Sequence, residues 1–212
     1  MELSLHQLFP RYFEKNGRDS ELWNQDLHFK QGEYIKIVAP SGSGKTSLMH
    51  FIYGMRNEYD GKILYDKEDI HSFGAEDFSK LRKDVVSIVF QDLKLFPDQT
   101  VFDNLEIKRQ LNPFHPMTMI KEMSAKLGIE KKLNSLVSTC SYGEQQRIAI
   151  IRALMQPYKI LLLDEPFSHL DNKNALLAME LMLEESKKRE ATIVFADLER
   201  IDYFPFTKLY HL

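Results

Sequence analysis

The sequence predicts an α/β protein built on a mostly parallel sheet, with an antiparallel side sheet of N-terminal strands and an inserted helical subdomain. Three observations carry this. Short apolar runs at residues 85–90, 160–163 and 192–195 lack polar alternation, the pattern of strands covered on both faces by helical crossovers. Residues 33–38 read as a strand that passes through a glycine-spaced loop into an apolar-striped helix over 46–53. Between Gln91 and about Tyr142 the pattern changes to loops and helical segments, with Pro97, Pro113 and Pro116 as breakers.

The remaining elements follow in chain order. The N-terminal stretch alternates as a half-buried strand does, with Leu27 and Phe29 set against Asp26, His28 and Lys30. Asp60-Gly61 reads as a turn leading into a strand over 62–65. These early strands form the side sheet. From Asn172 to about Glu190 the chain is strongly helix-forming. Ala175, Leu176, Met179 and Leu183 give that helix a buried stripe, and Lys187-Lys188-Arg189 reads as a solvated basic end.

Composition narrows the possible functions. A chain of 212 residues with 43% hydrophobic and 28% charged content suits one large globular domain with a substantial core. Net charge is −3, from 28 Lys+Arg against 31 Asp+Glu, so no nucleic-acid-coating surface is expected. The single cysteine, Cys140, excludes an intramolecular disulfide and fits a reducing compartment. No secretory signal is expected at the start, and no apolar run approaches the roughly 20 residues that span a bilayer. Work at a membrane would need a membrane part supplied by another chain.

The loop Ala39-Pro40-Ser41-Gly42-Ser43-Gly44-Lys45-Thr46 carries the chemistry. Gly42 and Gly44 let successive amide N–H groups turn inward, Lys45 adds a point charge for outer phosphates, and the Thr46 hydroxyl is a Mg²⁺ ligand. Strand, loop and helix in this order define a P-loop NTPase core, and the expected ligand is a nucleoside triphosphate. The usual pattern opens with glycine where this chain has Ala39, a mild change unless that position needs positive φ. An acidic partner ends the apolar run Lys159-Ile-Leu-Leu-Leu-Asp164-Glu165. Asp164 is expected to hold the metal, and Glu165 to polarise an attacking water as general base.

Further motifs agree with these in order and spacing. Val89-Phe90-Gln91 precedes the helical insert, Ser141-Tyr142-Gly143-Glu144-Gln145-Gln146-Arg147 opens a helix with a capping-box spacing, and Ser168-His169-Leu170-Asp171 follows the acidic pair. The chain thereby resembles the ATP-binding cassette (ABC) ATPases over essentially its whole length. The resemblance implies one nucleotide-binding domain over residues 1–212, with about 91–142 as its inserted helical subdomain, and a weaker likeness to the lipoprotein-release, macrolide-efflux and cell-division branch. It implies ATP and Mg²⁺ as ligands, with Thr46, Gln91 and Asp164 at the metal and Glu165 and Gln91 at the attacking water. Nucleotide contacts are implied for Tyr12, Ser41, Gly42, Ser43, Gly44, Lys45, Thr46 and Ser47, with Tyr12 stacking on the base and Phe13 as its substitute. Ser141, Gly143 and Asp171 are implied to complete the site of a second copy. The expected partners are therefore a second copy, closing on ATP, and integral-membrane permease-type subunits, which would hold the chain at the inner face of the cell membrane.

Three residues depart from the family pattern. Tyr142 stands at the first signature glycine, and Cys140 replaces the leucine before Ser141. In Thr192-Ile-Val-Phe-Ala196-Asp197-Leu-Glu199 the histidine that most relatives direct at the γ-phosphate aligns with Ala196, or alternatively with Asp197, and neither donates as imidazole does. Two functions compete on this basis: an ATPase that drives membrane subunits, and an ATP-gated interaction module with little turnover. A soluble cassette acting on DNA or ribosomes fits less well, since such relatives carry long coiled coils or a second cassette.

Overall fold

The computed structural model describes residues 1–13, 20–198 and 204–212. Glu199, at the end of the Ala196 motif, lies outside the described residues. The described residues form nine strands and six α-helices. The strands are β1 (Leu3–Pro10), β2 (Asp26–Phe29), β3 (Tyr34–Val38), β4 (Tyr59–Tyr65), β5 (Glu68–Asp69), β6 (Val86–Val89), β7 (Ile160–Asp164), β8 (Thr192–Asp197) and β9 (Lys208–His211). The helices are α1 (Lys45–Ile52), α2 (Ala75–Lys80), α3 (Val101–Leu111), α4 (Thr118–Lys126), α5 (Tyr142–Leu154) and α6 (Asn172–Lys188).

Two sheets form. The first, in the order β2-β1-β4-β5, is antiparallel throughout. The second runs β6-β7-β8-β3-β9, all parallel. Strands β6, β7 and β8 are buried along their whole length, which is why they read as unbroken apolar runs. Ile160 and Leu162 of β7 join a core with α1 and the antiparallel sheet, while Leu161 and Leu163 join a second core with α5 and α6. Between β6 and β7 the chain makes α3, α4 and α5, of which α3 and α4 form the helical insert of the α/β P-loop fold.

Three local expectations are corrected. Asp60-Gly61 does not turn: both lie inside β4, where Gly61 (φ +94°) faces an irregularity of β1 between His6 and Phe9. A Cβ at Gly61 would stand 2.4 Å from the carbonyl oxygens of His6 and Gln7, so glycine is required by backbone approach within the sheet. Leu176 does not belong to the buried stripe of α6; it is 46% exposed, whereas Ala175, Ala178, Met179 and Met182 are buried. The basic end of α6 is not simply solvated, because the Arg189 side chain is 4% exposed and pairs with Glu185 at 2.6 Å.

Candidate nucleotide site

The strand order builds the site. The carboxyl ends of β3 and β7 flank that of β8, with Val38 paired to Asp197 and Asp164 paired to Ala196. Loop 39–46 therefore leaves the sheet beside the acidic pair, at the end where open α/β sheets bind their ligands.

The loop adopts the cradle its glycines permit. Gly42 and Gly44 have φ of +79° and +101°, and Gly44 caps α1, so the free N–H groups of the first helical turn line the loop. Ala39 is buried and lies outside the left-handed region, so the alanine at the motif's first position introduces no strain. Ser43 Oγ donates to Pro40 O at 2.8 Å, closing the turn. Lys45 Nζ donates to Ala39 O at 2.7 Å and Pro40 O at 3.0 Å, and lies 3.4 Å from Glu165 Oε1. With its side chain only 5% exposed, the ammonium is held in the loop and aimed at the acidic residue.

A cleft of about 240 Å³ brings together Tyr12, Phe13, Ser41, Gly42, Gly44, Lys45, Thr46, Ser47, Gln91 and Glu165. Thr46 Oγ1 donates to Gln91 Oε1 at 3.1 Å. The Tyr12 hydroxyl donates to Ser47 Oγ, and the Arg56 guanidinium sits 5.0 Å from the Tyr12 ring centroid. That ring is half exposed, with the Phe13 ring packed edge-on against it at 5.2 Å.

Asp164 lies at the base of this arrangement, 1% exposed, with Oδ1 buried and lacking a hydrogen-bond partner. Burial pushes its carboxyl up to about 6; the Thr46 hydroxyl opposes the shift, the Glu165 carboxylate adds to it, and Lys45 opposes it. A buried, underbonded carboxylate beside a threonine hydroxyl and a glutamine carbonyl oxygen fits a hard divalent cation. Among the described residues no group of three or more His, Cys, Asp or Glu could hold a metal ion by itself, so phosphate and water would have to complete the shell.

Glu165 follows β7 with φ +47°, a left-handed conformation unusual for a residue with a side chain. Its N–H donates to Ala196 O at 3.0 Å. Ala196 is fully buried within β8, and none of the residues lining the cleft is a histidine. Asp197 and Glu165 line a neighbouring pocket of about 130 Å³ with Ser168 and Leu170.

The remaining predicted residues stand apart from the cleft in this chain. Ser141 caps α5 through a capping box: its Oγ accepts from Glu144 N at 3.3 Å and its N–H donates to Glu144 Oε2 at 2.8 Å. Asp171 caps α6, accepting from Asn174 N at 2.8 Å. Gly143 faces His169 O, and the Tyr142 ring packs on the His169 ring with centroids 4.1 Å apart. The sequence reading missed Trp23, whose Nε1 donates to Ser43 O at 3.4 Å, and Gln146, whose amide bonds to Glu165 O and His169 N. No spacing announces either contact, since each is made across the fold.

The fold and this cradle define a P-loop nucleoside-triphosphate-binding protein. Residues 22–168 match the model of the ABC transporter family. The chain belongs to that family: it is an ATP-binding, ATP-hydrolysing cassette. It is 32% identical over 200 residues to the lipoprotein-releasing system ATP-binding protein LolD of Buchnera aphidicola, covering 92% of this chain and 87% of the relative. It is 36% identical over 162 residues to the macrolide export ATP-binding/permease protein MacB of Nitrosomonas europaea, covering 75% of this chain but a quarter (25%) of that longer protein. Among solved structures, the cassette MJ0796 in a dimeric post-hydrolysis state bound to ADP and Pi superposes with a TM-score of 0.80 at 26% identity, covering 92% of this chain and 87% of that one.

Proposed function

We propose that two copies of this chain close on ATP and that hydrolysis drives separately encoded membrane subunits, which hold the pair at the inner face of the cell membrane. Within each chain, Lys45 and the amides of residues 41–47 hold the phosphates, and Tyr12 stacks on the base. Thr46, Gln91 and Asp164 hold Mg²⁺, which supplies charge neutralisation at the phosphate oxygens. Glu165 takes a proton from water as its oxygen bonds to the γ-phosphorus and the bond to ADP breaks. Ser141 and Gly143, at the start of α5, and Asp171 complete the site of the other copy. The single domain 1–212, with 91–142 as its helical insert, is part of this reading.

The observation that carries the proposal is the convergence of Lys45, Thr46, Gln91 and Glu165 on one cleft, above a buried carboxylate oxygen of Asp164 that has no partner. The dimeric relative bound to ADP and Pi, and relatives named for lipoprotein release and macrolide export, support it. Among the described residues no helix is long and apolar enough to cross a membrane.

A second reading, an ATP-gated interaction module with little turnover, draws on the buried Ala196 and on Tyr142 at the start of α5. Steady-state ATP hydrolysis by the complex with its membrane subunits separates the two. Under the first reading, Glu165→Gln lowers turnover by about 10²-fold or more. ATP-driven dimerisation of the wild-type chain with no turnover would establish the module instead.

A further inference from the structure

Glu165 occupies left-handed backbone, a conformation that persists in a non-glycine residue only where its surroundings fix it. Two backbone contacts contribute: its N–H donates to Ala196 O at 3.0 Å, and its carbonyl accepts from Ser168 N at 3.3 Å. The third anchor is a side chain from another element. Gln146, in the second turn of α5 and 1% exposed, donates from Nε2 to Glu165 O at 3.2 Å. Its Oε1 accepts from His169 N at 3.0 Å. Both ends of one buried carboxamide thus bind the loop that carries the base.

The rest of the same helical face touches the same loop. Tyr142, four residues before Gln146 and so one turn away, packs its ring on His169, and a Cβ at Gly143 would stand 3.0 Å from His169 O. The start of α5 therefore contacts the loop at three positions, one of which grips the peptide of Glu165. A shift of this helix cannot leave Glu165 where it was.

From this geometry we infer that Gln146 is a positioning residue for hydrolysis: it fixes the backbone of Glu165 and couples the base to the first turns of α5. The inference rests on the proposed role of Glu165 as general base. In that role a displacement of about 1 Å is expected to cost on the order of 10²-fold in rate. Gln146→Glu keeps the shape and the acceptor for His169 N but sets a carboxylate oxygen against Glu165 O; Gln146→Met removes both bonds at similar volume.

The test is steady-state ATP hydrolysis by the complex, with kcat and KM separated, for both variants alone and combined with Glu165→Gln. The expected result is a kcat lowered about 10-fold or more with KM for ATP within about 2-fold. Neither variant should lower the residual rate of the Glu165→Gln chain further, because residues acting through one group are not additive. A folded Gln146→Glu protein with unchanged kcat would overturn the inference, as would an equal further loss in the Glu165→Gln background. The base assignment is tested separately by Glu165→Gln alone: if that variant keeps wild-type turnover, the proposed function has failed independently of Gln146.

Discussion

Gly44 and Gly42 both hold left-handed backbone, yet only one of them is enclosed. A Cβ on Gly44 would stand 3.0 Å from Phe13 Cζ and 3.1 Å from Trp23 Cζ2, whereas Gly42 has nothing within 4 Å. Alanine in this conformation costs about 1–2 kcal/mol in backbone strain alone. Gly42→Ala should therefore weaken ATP binding by roughly 10-fold with the surrounding packing intact, since 1.4 kcal/mol is a factor of ten. Gly44→Ala should weaken it more and also lower thermal stability, because the aromatic pair must move. Calorimetric titration with ATP and a melting curve on each variant check this; equal effects at both positions would show that Phe13 and Trp23 do not brace the loop. The cradle itself was legible in the sequence because its donors are contiguous. The brace was not, because Phe13, Trp23 and Gly44 meet only after β1, β2 and α1 have packed.

Along the elements, legibility followed burial. β6, β7 and β8 are covered on both faces and announce themselves as apolar runs. β9 was missed: Lys208–His211 is an edge strand with alternating half-exposed residues, and its place beside β3 is set by pairing across the fold. The C-terminus of α6 was misread for a related reason. Its last basic residue folds back: Arg189 stacks over Phe114 of the helical insert and over Tyr158 before β7, at 4.4 and 4.6 Å, and His115 Nε2 lies 3.0 Å from Glu185 Oε2. Burial alone would raise the Glu185 carboxyl from its ordinary 4.5, but hydrogen bonds from His115, Lys188 and Arg189 outweigh it and hold the group well below the carboxylate range. A depressed folded-state value contributes stability that is fully present above about 4.5 and is lost as pH falls from there toward the folded value. Glu185→Gln should thus cost about 3–5 kcal/mol at neutral pH, by stranding Arg189, and should flatten the loss of stability below pH 4.5. Urea unfolding across the acid range tests this, and parallel pH profiles for the two proteins would show that Glu185 contributes no linkage.

At the scale of the whole molecule, the cleft of one chain is lined by neither Ser141 nor Gly143, which the proposed function assigns to the site of a second copy. Lys45, Thr46, Gln91 and Glu165 line the cleft, while Ser141 and Gly143 begin a helix whose first turns pack on the loop at His169. A capped helix start with its N–H groups and positive dipole suits a phosphate, but the cleft of its own chain does not include it. If two copies supply each other's missing half, chains defective in different halves should complement. Lys45→Ala removes the phosphate contact and Ser141→Arg blocks the helix start, so each variant alone should be inactive. In a two-fold dimer of one with the other, one site combines both defects and the second combines an intact loop with an intact helix start. Random mixing makes about half the dimers mixed, each with one intact site of two, so about a quarter of wild-type hydrolysis should return. An intact site within each chain would instead leave the mixture at the average of its two components, and that result would refute the composite arrangement.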